Sequence, residues 1–251
     1  MKINTIIKKI SFDSDGFLLK GFLHLPEINQ PPVVVGSHGL FSSSSSPKQT
    51  ELARKCAAQG IAFFRFDHRG CGASEGVFKD VTSLEARCSD LVNAVKMLRA
   101  GNNTKNQIGL FGSSLGGAVC LSAANELSAD AIVVFAAPVR SKTIIETLKR
   151  TGEINGASFD KKRFWFDISD KLSNIRNVLI FQGDADNLVP AANAREIYQM
   201  ARRPKRLILQ NQGDHLMSDK KHQHQFIKES VFWYRNLFDR ITTTENQPKM
   251  V

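Results

Sequence analysis

The residue in this sequence best placed to do covalent chemistry is a serine set between glycines, Gly112-Ser113-Ser114-Leu115-Gly116. The motif follows a short apolar run, Ile108 to Phe111, that reads as a buried strand. From Leu115 the apolar residues Leu115, Ala118, Val119 and Leu121 fall at helical spacing. A G-x-S-x-G between strand and helix is a nucleophile elbow: the sharp turn forces the central serine into a strained backbone conformation and lifts its hydroxyl above the sheet edge. Such a hydroxyl attacks an acyl carbonyl once a neighbouring base removes its proton. The pattern occurs a second time, as Gly72-Ala73-Ser74-Glu75-Gly76. There the preceding strand ends near Asp67, too early, and no helix is expected before about Thr82. Context therefore selects Ser114.

Three further stretches accompany the elbow: His38-Gly39 after an earlier strand, Gly183-Asp184-Ala185-Asp186 after a later one, and a late Gly213-Asp214-His215. Together the four resemble the α/β-hydrolase superfamily over about residues 15–238. The likeness is greatest to its small esterase and lipase-like branch, which includes feruloyl esterases and serine aminopeptidase-like hydrolases. The resemblance implies a base at His215 and an orienting carboxylate at Asp186. Asp184 competes for the second role, and sequence does not settle which side chain points inward. It also implies an oxyanion hole made of two backbone N–H groups, those of Leu40 and Leu115. Such donors matter because the carbonyl oxygen becomes negative during attack, and losing one costs ~3 kcal/mol of barrier. His38 itself reads as structural. So does the loop Asp67-His68-Arg69-Gly70-Cys71-Gly72-Ala73-Ser74, similar to a D-x-R-G-x-G-x-S loop common in the superfamily, with Arg69 tying neighbouring loops together.

The resemblance implies hydrolysis of carboxylic esters of small acyl or aryl groups through an acyl-enzyme. Serine at the elbow sets the chain apart from relatives with Asp there, such as haloalkane dehalogenases and epoxide hydrolases, and from those with Cys, such as dienelactone hydrolases. The alternatives are an aminopeptidase-like amide hydrolase, which needs a negative pocket charge to hold a free amine, and a non-catalytic ligand-binding protein on the same fold. Glu146, Glu153 and Asp160 cannot be given that charge's role from sequence.

Composition narrows the field. The four cysteines lack the paired spacing of a zinc site, so free thiols are expected, with no metal and no cofactor. The chain has 34 basic and 24 acidic residues, a net charge of +10. The basic residues are scattered and no nucleic-acid-binding motif accompanies them, so a solvated basic surface is expected and nucleic acid is not expected as a partner. The expected partner is a small-molecule ester. No apolar run reaches the ~18 residues of a membrane span, and the N-terminus lacks a leader pattern, so a cytoplasmic location is expected.

The elements that must position these residues follow from pattern. A hairpin of Ile3 to Phe12 and Phe17 to Leu25 opens the chain, and strands then alternate with helices. Thr82-Ser83-Leu84-Glu85 reads as a capping box for a helix to Arg99. The expected fold is a single α/β domain over residues 1–251: a mostly parallel sheet of about eight strands with helices on both faces. Residues 138–177 are too many for a crossover loop and read as a short cap insertion, and 242–251 as a disordered tail. Phe41, Phe164 and Trp165 are the candidate substrate-binding residues, with Phe159 and Phe166 in the same aromatic cluster.

Overall fold

A computed structural model describes residues 3–142, 144–146 and 164–245 of the chain. The first two strands, β1 (Thr5–Ser14) and β2 (Phe17–Pro26), pair antiparallel along their whole length. The turn between them has Asp15 and Gly16 both at positive φ, 53° and 83°, the twist that suits a two-residue hairpin. Next come β3 (Val33–Ser37), helix α1 (Pro47–Ala57) and β4 (Ala62–Phe66). A short α2 (Phe78–Val81) and the long α3 (Leu84–Ala100) lead to β5 (Ile108–Ser113), α4 (Leu115–Ala123) and β6 (Ala131–Phe135). The chain ends with β7 (Val178–Gly183), α5 (Ala192–Met200), β8 (Lys205–Gln210) and α6 (Lys220–Glu245).

Among the described residues these strands form one eight-stranded sheet in the order β1-β2-β4-β3-β5-β6-β7-β8, parallel from β4 to β8. Every position of β3, β4, β6 and β7 is buried, as expected of parallel strands covered on both faces. Alternation then sorts their side chains into two cores. Val33, Val35, Phe64, Leu110 and Val134 face α3, α4 and α5, whereas Val34, Phe63, Phe111, Val133 and Phe181 face α1 and α6. The carboxyl ends of the parallel strands all point to one rim, where an open α/β sheet binds its ligand.

Several boundaries differ from expectation. The cap of α3 is Ser83, one residue later than the box suggested, and its side chain accepts from Ala86 N at 3.0 Å. Ser83 has the extended backbone that a cap needs. The last helix continues to Glu245, past the start of the expected tail, and 246–251 lie outside the described residues. The cap insertion is described only in part, since Gly152 to Gly156, Phe159 and most of the helix expected from Thr143 fall outside. Its return is anchored, with Ser141 N donating to Phe166 O and Ile168 N to Val139 O, both at 3.0 Å.

Candidate active site

The strand β5 delivers Ser114 to the rim and α4 leaves at once, so the turn has no room to relax. Ser114 sits at φ 53° and ψ −123°, a region that costs a non-glycine residue on the order of 1–3 kcal/mol. Its amide donates to Phe135 O at 2.8 Å and its carbonyl accepts from Gly117 N at 2.8 Å, which pins the strained turn from both sides. The flanking glycines exist for close approach. A Cβ on Gly112 would overlap the Gly116 carbonyl, and one on Gly116 would overlap the Ser37 carbonyl of the neighbouring strand.

Asp186 and His215 arrive on adjacent loops after β7 and β8. Gly183 and Gly213 let those loops touch, because a Cβ on Gly183 would overlap the Gly213 carbonyl. Ala185 N donates to that same carbonyl at 3.0 Å. His215 Nδ1 lies 2.8 Å from Asp186 Oδ2, and the rest of the Asp186 carboxylate is filled: Gln182 Nε2 donates to it at 3.1 Å, Leu188 N at 2.9 Å and Val189 N at 2.8 Å. An acceptor so occupied fixes the proton of His215 on Nδ1 and leaves Nε2 for the cavity. Asp184 instead is exposed and accepts from Gln212 N, a bond that ties the two loops together. Of the two aspartates, Asp186 is the one that faces His215.

Ser114 and His215 line one cavity of about 700 Å³, together with Leu40, Phe41, Leu115, Ile144, Phe164, Leu188 and Phe226. No hydrogen bond joins the Ser114 hydroxyl to His215, although both line the same cavity. The Leu40 and Leu115 N–H groups donate to no partner among the described residues. Leu115 is the first residue of α4, where amides are left free by helix geometry. A Cβ on Gly39 would lie 3.6 Å from Ser114 Cβ, so the segment carrying Leu40 runs directly beside the serine.

Of the substrate-binding candidates, Phe41 and Phe164 line the cavity, Phe41 at its mouth with 61% of its surface exposed. Trp165 does not: it is 60% exposed and outside the lining. Successive residues of an extended segment point to opposite sides, so Phe164 and Phe166 turn inward and Trp165 outward.

Ser74 has a structural place. Its hydroxyl donates to Asp67 O at 2.6 Å and accepts from Lys20 N at 2.9 Å, inside the glycine-rich loop after β4. Arg69 ties loops together through Asp90 and Asp15. His38 is buried, accepts from His68 N at 3.2 Å through Nε2, and donates through Nδ1 to Gly39 O at 2.8 Å. Burial first, then the nearby cations, holds it well below the usual histidine range, so it stays neutral.

Sequence reasoning missed Arg87. It is fully buried on α3 and its guanidinium donates to three successive carbonyls, His38 O and Gly39 O at 3.2 Å and Leu40 O at 3.1 Å. A signal was available: Arg87 falls three after Leu84 and four before Leu91, so a charge interrupts an apolar helix stripe. The guanidinium fixes the backbone that presents the Leu40 amide.

Residues 29–176 match the model of the family described as serine aminopeptidase, S33. The chain belongs to this family of α/β hydrolases. Among curated relatives, the uncharacterized protein YfhR of Salmonella typhi is 29% identical over 199 residues, 75% of this chain and 65% of its own length. The chain therefore spans just under two thirds of that relative. Among solved structures, Est1E from Butyrivibrio proteoclasticus, bound to ferulic acid, superposes with a TM-score of 0.77 at 20% identity, covering 92% of this chain and 99% of its own. The esterase domain of a Rhodothermus marinus protein does so with a TM-score of 0.71 at 26% identity, covering 92% and 99%. The α/β-hydrolase fold and membership of that enzyme superfamily follow. The four cysteines are free thiols. Among the described residues no cluster of three His, Cys, Asp or Glu could hold a metal ion, and no helix is long and apolar enough to cross a membrane.

Proposed function

We propose that the chain is a serine hydrolase that cleaves carboxylic esters of small acyl or aryl groups through an acyl-enzyme. In this reading Ser114 attacks the acyl carbonyl while His215 Nε2 takes its proton, and the alcohol departs with that proton returned by His215. Water then repeats the sequence on the acyl-enzyme and releases the acid. Asp186 holds the imidazole tautomer and stabilises its cation, and the Leu40 and Leu115 amides receive the oxyanion. Phe41 and Phe164 form apolar walls for the acyl or aryl group. The observation that carries the reading is the 2.8 Å pair of His215 and Asp186 on the same cavity as a serine at positive φ.

The names of the solved relatives point the same way: one is an esterase domain and another was captured with ferulic acid. The family description favours a second reading, an amide hydrolase acting on a free amino terminus. That chemistry calls for an unengaged carboxylate in the cavity. Glu51 lines it, but both its oxygens are taken by Arg54, at 2.7 and 2.9 Å. Glu146 is exposed and outside the lining, and Glu153 and Asp160 lie outside the described residues. Among the described residues the cavity thus offers no unengaged carboxylate, and the ester reading is preferred. Its test is release of 4-nitrophenolate from 4-nitrophenyl butyrate and of ferulate from methyl ferulate. Turnover abolished by Ser114→Ala supports it; turnover of an aminoacyl anilide alone would replace it with the amide reading.

A further inference from the structure

The cavity lining includes a cation that the chemistry above does not use. Lys48 stands in the first turn of α1 and lines the cavity with Ser46 and Pro47. Its ammonium donates to Leu216 O at 2.9 Å, next to His215, and lies 4.5 Å from the centre of the Phe135 ring. An ammonium has three N–H groups, and one protein acceptor leaves two to be satisfied.

None of the carboxylates nearby completes it. Asp186 and Asp214 are the acidic groups that feel its charge, yet Asp186 is filled by four donors and Asp214 accepts from Ser218 N at 2.9 Å. Neither forms an ion pair with Lys48. Glu51, one turn further along α1, is held by Arg54.

The position is also unfavourable for stability. A cation at a helix N-terminus opposes the helix dipole, which favours negative charge there. The first turn of α1 contains no acidic residue, and its N-cap Ser46 makes no side-chain capping bond. Burial adds a further penalty and lowers Lys48 to about 8, against the upward pull of Asp214 and Asp186. A half-buried cation with one protein acceptor and a helix terminus without a side-chain cap, both on the cavity lining, share one remedy, a bound anion.

We infer that Lys48 and the first turn of α1 form a subsite for an anionic group of the substrate, a carboxylate carried on the acyl or the alcohol part of the scissile ester. The inference rests on the hydrolase reading and narrows its substrate class to half-esters and other esters of charged acids or alcohols. It also separates the chain from amine-bearing substrates, since the same wall repels an ammonium. A merely structural lysine, tethering the His215 loop through Leu216, would leave the charge of the substrate without effect.

Two pairs of esters test it. Mono-4-nitrophenyl adipate against its methyl-capped diester places the charge on the acyl side, and 4-carboxyphenyl butyrate against its methyl ester places it on the alcohol side. Values of kcat/KM, each divided by the spontaneous hydrolysis rate, are compared for the unaltered chain, Lys48→Met and Lys48→Arg. The expected result is a preference for the free carboxylate of about tenfold or more in one pair, the scale of a charge-assisted hydrogen bond. That preference collapses in Lys48→Met and is retained in part in Lys48→Arg. Equal hydrolysis of free and capped esters, or a preference that survives in Lys48→Met, overturns the subsite while leaving the hydrolase reading intact. Calorimetric titration of adipate into the full chain gives a readout independent of turnover. Saturable binding that Lys48→Met loses supports the subsite, and absence of binding to the unaltered chain contradicts it, even were no ester turned over and the hydrolase reading lost.

Discussion

Among the described residues stand two Ser-His-Asp arrays, and they are built to opposite ends. In one, Ser37 Oγ lies 2.8 Å from His68 Nε2, and His68 Nδ1 lies 3.3 Å from Asp90. In the other, Ser114 and His215 line the cavity and Asp186 lies behind His215, with the His–Asp distance at 2.8 Å. By hydrogen bonding alone the first looks the more complete. Yet Ser37, His68 and Asp90 are wholly enclosed, and Asp90 is further tied by Ser14 Oγ and Arg69. His215 keeps 19% of its side chain exposed, and Ser114 holds a positive φ beside two undirected amides. In the proposed function, what sets the second array apart is access to the cavity and two unpartnered N–H groups beside it, not the strength of its internal bonds.

The same substitutions should therefore act differently in the two places. Ser114→Ala is expected to lower kcat by roughly four to six orders of magnitude with an unchanged melting temperature. Ser37→Ala should leave the activity of the folded protein intact and cost about 1–3 kcal/mol by stranding the His68 acceptor, read by urea denaturation. Asp186→Asn should cost on the order of 10⁴ in kcat through loss of the correct tautomer, with little change in KM. Asp90→Asn should instead destabilise by about 3–5 kcal/mol, because it breaks a buried pair with Arg69. Equal rate losses from Asp186→Asn and Asp90→Asn would erase the distinction.

Arg87 stands between the two regions and sharpens the comparison. It fixes the carbonyls of residues 38–40 without touching substrate, so it is a positioning residue. Arg87→Lys keeps the charge and loses the planar fork that spans those carbonyls. The expected result is a fall in kcat of about ten- to a hundredfold with KM nearly constant. A loss of stability with kcat per folded molecule unaltered would make it structural only.

Acid should reach the enclosed array first in stability. Burial lowers His68 to about 4, outweighing the pull of Asp90, and lowers His24, beside Arg65, to about 4. Each is depressed below the ordinary ~6.5, so the stability it contributes is complete above ~6.5 and is lost as pH falls from there toward 4. For His68 the loss is on the order of 3 kcal/mol, measurable as a falling urea midpoint between pH 7 and 4. The smallest of these effects is that of His68→Gln, expected to flatten that slope in part.

Much of this was legible in the sequence because it depends on local pattern. Strand alternation, the glycines around Ser114 and the spacing of Gly183 to Asp186 are written within a few residues of one another. What was not legible depends on tertiary approach. Whether Asp184 or Asp186 turns toward His215 is decided by the contact of two loops, and Trp165 turns outward by the alternation of a segment whose register no motif fixes. The enclosed array unites a strand end, a glycine-rich loop and a helix, with Ser37 and His68 31 residues apart and His68 and Asp90 22 apart. Arg87 could have been noticed as a charge in an apolar stripe, but its partners could not. The same holds for Lys48, whose isolation from carboxylates is a property of space.

The central claim is that one serine among several is activated, and covalent labelling reads it directly. The full chain is treated with a fluorophosphonate, which reacts with activated serines, and the modified peptide is located by mass spectrometry. Stoichiometric labelling at Ser114, abolished in Ser114→Ala and slowed in Asp186→Asn, is the predicted result. A label at Ser37 or Ser74, or ester turnover with Ser114 unmodified, would contradict the account.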